Sequence, residues 1–207
     1  MTEDERLAEF ATTYLSGRSI PPDLVVLLRM QWSRVPHPGG DHYVDPLDAL
    51  DFQLLSDGQQ STILDKSYLS EKDRADPDVM ANVAAIDDVL AHILVVGEHH
   101  DYGAYGYWLG PEGRPIETAP IVRLDAEGRF ELLPGNTLAE ALLVDCGSHD
   151  EDEFIDLRDW FNDFGLNMTA SSRSDFPPPN IKPTPDDLHV ARYNAHRAVA
   201  GLPPFVA

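Results

Sequence analysis

Leu7, Phe10, Ala11, Tyr14 and Leu15 recur at helical spacing behind Thr2-Glu3-Asp4-Glu5, whose order is that of a capping box. The pattern predicts a first helix over about residues 3–16, stopped by Gly17. Ser19-Ile20-Pro21-Pro22-Asp23 opens a second, with Leu24, Leu27, Leu28 and Trp32 on its apolar face. His37-Pro38-Gly39-Gly40-Asp41 is a loop by composition. Residues 47–55 are apolar but fit a short helix or a strand equally. Residues 59–74 are expected to be helical, with Ile63, Leu64 and Leu69 inward. Pro77 opens another helix, with Val79, Val83, Ile86, Val89 and Leu90 on one face.

The texture then turns to strands. Ile93-Leu94-Val95-Val96-Gly97 is short and rich in β-branched residues. Residues 102–109 make a second, aromatic strand and residues 119–124 a third. Asp125-Ala126-Glu127-Gly128 is a turn, after which 129–133 alternates as a fourth strand, closing a hairpin. Thr137-Leu138-Ala139-Glu140 has capping-box order and opens a helix through Leu143. Asp150-Glu151-Asp152-Glu153 leads a segment with Phe154, Ile155, Leu157, Trp160, Phe161 and Phe164, and acidic residues suit a helix start. The prolines at 177–179 and 183 require extended chain, which can dock on the core or hang as a linker. Thr184-Pro185-Asp186-Asp187 caps a last helix, ended by Gly201 and Pro203.

Helices, then closely spaced strands, then helices indicate an α+β fold, a mainly antiparallel sheet of about four to six strands flanked by helices. Residues 1–145 form the expected α+β domain. Residues 146–207 hold an acidic helix, a proline-rich segment and a final helix that pack on or extend its core.

Charge changes the picture most. The chain of 207 residues carries 36 acids against 15 Lys and Arg, a formal net charge of -21. Such a field repels phosphate backbones and anionic membranes and draws a basic protein partner. Solubility alone is the other reading of the same number. The acids are uneven: residues 37–101 hold 14 acids and 3 bases, and 141–170 hold 8 and 1, against 6 and 3 in 102–140. The single cysteine, Cys146, allows no internal disulfide, and the first residues lack a signal-peptide pattern, so a cytoplasmic location is expected.

No constellation for catalysis, cofactor or metal stands out. His99, His100 and Asp101 are consecutive, and neighbours on a strand point to opposite faces, which is poor ligand geometry. Cys146 and His149 make one pair where a zinc site needs four ligands, although a Cys–His nucleophile is formally open. His189 and His196 share a helix face as a solvated or interface pair. The candidate partner-binding residues are Asp101, Tyr102, Tyr105, Tyr107 and Trp108, with the acidic run Asp150, Glu151, Asp152 and Glu153. Exposed Tyr and Trp are favoured anchors in interfaces, whereas packing the sheet against helices would use the same rings. Alternation puts Tyr105 and Tyr107 on one face and Ala104, Gly106 and Trp108 on the other.

Val95-Val96-Gly97, a polar link, Asp101-Tyr102-Gly103 and the aromatic strand resemble the central strands of SMI1/KNR4-like proteins, the SUKH superfamily. Residues 119–128 are similar to that family's next hairpin, 138–143 to its closing helix, and Ile20-Pro21-Pro22-Asp23-Leu24 to its early helix entry. Together these span roughly residues 18–145 and rest on order and spacing. The family's Asn-Gly after the second helix is replaced here by Pro38-Gly39-Gly40. The resemblance implies a non-catalytic binding module without cofactor. In the bacterial case that is an immunity protein neutralising a toxin domain; otherwise it is a regulatory scaffold. A small enzyme is the remaining alternative.

Overall fold

The computed structural model describes residues 1–33, 35, 36, 43, 44, 46–101, 103–147 and 150–206. The expected loop at 37–41 lies outside the described residues. Helix α1, Glu3–Tyr14, begins with both halves of the capping box: Thr2 Oγ1 accepts from the Glu5 amide at 3.3 Å, and the Glu5 carboxylate accepts from the Thr2 amide at 2.7 Å. It ends two residues short of the expected limit, because Ser16 and Gly17 both take positive φ. Helix α2, Pro22–Trp32, sinks Leu24, Leu27, Leu28 and Met30. Val35–Pro36 (β1) and Tyr43–Val44 (β2) pair as a small antiparallel ladder. The ambiguous stretch at 47–55 is both things in turn: a 3₁₀ turn at Pro46–Leu50, then strand β3, Phe52–Leu54, with Asp51 at φ 49° between them.

The helix expected over 59–74 does not form. That segment holds a 3₁₀ turn at Thr62–Leu64 and a short helix α3, Glu71–Ala75. Polar side chains take the amides a continuous helix would use. Glu98 accepts from the Thr62 amide at 2.8 Å, Asp65 from that of Ser67 at 2.8 Å, and Ser70 starts α3 with its own capping box. Helix α4, Pro77–Leu90, follows at once, capped by Asp76.

Strands β4 (Ile93–His99), β5 (Gly103–Trp108), β6 (Ile121–Leu124) and β7 (Phe130–Leu132) continue from β3 as one antiparallel meander in the order β3-β4-β5-β6-β7. A bulge in β4 lies between Val95 and Gly97, where the Phe52 ring crosses so closely that a Cβ on Gly97 would fall 2.3 Å from it. Helices α5 (Leu138–Asp145), α6 (Glu151–Asp163) and α7 (Pro185–Val199) complete the chain. Thr137 caps α5, but Glu140 turns to the Asn136 amide instead of completing the box.

The fold is α+β, with apolar side chains on both faces of the sheet. Tyr105, Tyr107 and Ile121 join the main core with residues of α1, α2, α5 and α6. Trp108, Val122, Leu124 and Phe130 join Val89 of α4 in a smaller core, edged by Ile181 and Leu188. Residues beyond 146 belong to both: Phe154, Phe161, Leu166, Met168 and Phe176 enter the main core. The proline segment docks. The Pro177 carbonyl accepts from the Gly135 amide at 3.4 Å, and that of Pro183 from Trp108 Nε1 at 3.3 Å.

Candidate functional site

The aromatic strand is core and not surface, which corrects the expectation of an exposed aromatic anchor. Tyr105, Tyr107 and Trp108 are 0%, 2% and 0% exposed. The alternation holds, but helices cover both faces, so neither presents a ring to a partner. Tyr102 lies outside the described residues. Tyr105 donates its hydroxyl to Asp145 at 2.6 Å and sits 3.4 Å from Cys146 Sγ. Arg123 grips both oxygens of Asp145 at 2.8 Å and reaches Glu131 at 2.5 Å. This network ties β5, β6 and β7 to the C-terminal end of α5.

The same surroundings bear on the nucleophile reading. Burial pushes the Cys146 thiol up to about 12, so it stays protonated near neutrality and is a poor nucleophile. Its sequence partner His149 lies outside the described residues. Burial, then the neighbouring Cys146 and Asp145, also raise the Tyr105 phenol. His99 is buried at the end of β4, where its Nδ1 accepts from the Asp101 amide of the β4–β5 turn at 3.0 Å and burial lowers its pKa. His100 and Asp101 are exposed at that turn. Among the described residues, no group of three or more His, Cys, Asp or Glu side chains could hold a metal ion.

The acidic run lies where the sequence placed it. Asp150 caps α6, accepting from the amides of Asp152 at 2.9 Å and Glu153 at 3.2 Å. Glu151, Asp152 and Glu153 fill the exposed first turn, where the helix dipole favours them. The structure extends this site. Asp152, Asp156, Asp159 and Asp163 recur four, three and four residues apart, and all are exposed. That spacing puts them in one line along the helix, opposite the buried Phe154 and Phe161. Trp160, half-buried, flanks the line and packs edge-on against Phe164 with ring centroids 5.7 Å apart.

Among the described residues, the ion pair on this face joins Arg158 to Asp159, and Arg158 also donates to the Ala170 carbonyl. Like charges one turn apart weaken a helix, and Asp159 and Asp163 lie toward the end the dipole makes unfavourable for anions. A cationic surface laid along α6 would relieve both penalties. The 4-3-4 spacing that extends the site beyond Glu153 is present in the sequence, interleaved with Phe154, Ile155, Leu157, Trp160 and Phe161.

No family model, curated protein or solved structure matches the chain. Among the described residues, no helix is long and apolar enough to cross a membrane.

Proposed function

We propose that the protein is a non-catalytic binding module that holds a basic protein partner against the outer face of α6. The observation that carries this is the exposed carboxylate line Asp152–Asp156–Asp159–Asp163 beside the half-buried Trp160. Rows of carboxylates speed the encounter with a cationic surface, and a tryptophan at their edge supplies the apolar contact that lengthens the complex's life. Where the partner is a toxin domain, as the SMI1/KNR4-like resemblance implies, the module acts as its immunity protein. A basic nuclease-type domain would be held by the same charge that repels its nucleic-acid substrate.

The test begins with co-purification with the product of the neighbouring gene and rescue of growth when that product is expressed. Changing all four line residues to Asn should then weaken association by about tenfold or more and flatten its salt dependence. Trp160→Ala should act mainly on the dissociation rate. A neighbour that neither binds nor harms growth removes the immunity role. Unaltered affinity in the four-Asn variant removes α6 as the surface.

A further inference from the structure

On the opposite side of the sheet from α6, the smaller core comes to the surface in a cleft of about 300 Å³. It lies between the irregular segment at 62–68, α4 and the β6–β7 turn. Ile63, Leu64, Ile86 and Leu90 line it with partly exposed aliphatic surface, over a floor that includes buried Leu124. Tyr68 stands at its edge, 72% exposed. A cavity of this size, apolar inside with a few fixed polar groups, is at the small end of those that take ligands.

The rim is acidic. Asp65, Lys66 and Asp125 line it, and Asp87, Glu127 and Arg129 stand next to them through ion pairs. Lys66 is paired to Asp87 and Arg129 to Glu127, and Arg129 also lies 4.0 Å from Asp125. Four carboxylates against two cations leave an excess of negative charge here, and those of Asp65 and Asp125 are fixed by turn hydrogen bonds. Asp65 accepts from the Ser67 amide at 2.8 Å, and Asp125 from the amides of Glu127 at 2.8 Å and Arg129 at 2.9 Å. An anionic lipid surface or a nucleic acid is repelled by such a rim, and a second copy of a chain with net charge -21 is repelled as a whole.

We infer that the cleft docks a basic polypeptide segment. It inserts one large apolar side chain between Ile63, Ile86 and Leu90, with flanking Lys or Arg beside Asp65 and Asp125. The inference is independent of the α6 surface, since the two lie on opposite faces of the sheet.

The probe is an acetylated, amidated Lys-Lys-Trp-Lys-Lys peptide titrated into the full chain, with methyl NMR as the readout. The methyls of Ile63, Ile86 and Leu90 should shift saturably. Binding should weaken about tenfold or more with an alanine at the peptide's centre, and likewise when its lysines become glutamates. Ala126→Trp, at an exposed turn position lining the cleft, should fill the mouth and abolish those shifts while other methyl resonances keep their positions. The four-Asn variant of α6 should bind the peptide as the unaltered chain does. Unmoved cleft methyls overturn the inference. So does an alanine-centred peptide that binds equally well, because charge alone would then explain binding. A glutamate-flanked peptide that binds equally well overturns the basic occupant. Each of these results leaves the α6 reading untouched.

Discussion

Helices α6 and α7, on opposite faces of the sheet, are attached by different forces. On the face of Tyr105 and Tyr107, α6 contributes Phe154 and Phe161 at 1% and 0% exposure to the core. On the other face α7 buries only Pro185. It holds α4 through polar side chains instead: Tyr193 and Arg197 to Asp78, His189 to Asn82 at 2.9 Å, and His196 to Asp88 at 2.9 Å. Apolar burial is non-directional and ties a helix to the stability of the whole domain. Polar contacts at a half-exposed interface each add little and can open locally. The α6 surface is therefore presented by a helix anchored in the main core, whereas α7 is the helix expected to loosen first.

The largest test removes the anchor. Phe161→Ala should cost about 3–5 kcal/mol in chemical denaturation, while Leu188→Ala at the edge of the smaller core should cost far less; equal losses would erase the contrast. Next is the network behind β5. Asp145→Ala removes the acceptor that Arg123 and Tyr105 share and leaves Arg123 its bond to Glu131, at a cost of about 1–3 kcal/mol by the same measurement. A smaller effect is expected from Asp78→Ala, which removes the acceptor shared by Tyr193 and Arg197. Hydrogen exchange should quicken in α7 and leave α6 unchanged; quickening in both would mean that α7 does not open by itself.

The smallest effect is in pH. Burial lowers the pKa of His189 from its ordinary 6.5, and Asp186 beside it opposes this less strongly. The unfolded chain therefore takes up a proton at this site before the folded one does. The stabilising contribution is present above pH 6.5 and is lost as pH falls through the lowered folded value. His189 faces Asn82 and the Phe130 and Tyr193 rings. The slope of stability between pH 7 and 5 should be steeper in the unaltered chain than in His189→Gln; identical slopes would place no burden on this histidine.

The parts of this picture legible beforehand are those governed by neighbours in the chain. The capping boxes at Thr2 and Thr184, the proline helix entries at Pro22 and Pro77, and the β6–β7 turn all form where the local residues demand them. The acidic start of α6 was equally plain. The failed helix at 59–74 shows the limit: Glu98, on a strand 36 residues away in sequence, takes the Thr62 amide. Alternation assigned Tyr105 and Trp108 to opposite faces correctly, yet a period of two cannot tell a face covered by a helix from one open to a partner.

By itself, then, the sequence determined the capped helices, the run of strands from Ile93 onward, the antiparallel character of the sheet and the negative field, because caps, turns, periodicity and charge act within a few residues or sum over the whole chain. Only the tertiary structure decided that the aromatic strand is covered on both faces, that the proline segment docks, and that α6 turns its carboxylates outward while the smaller core comes to the surface as a cleft. Those outcomes depend on which distant segments bury one another, and burial is a property of the packed chain that no local pattern contains.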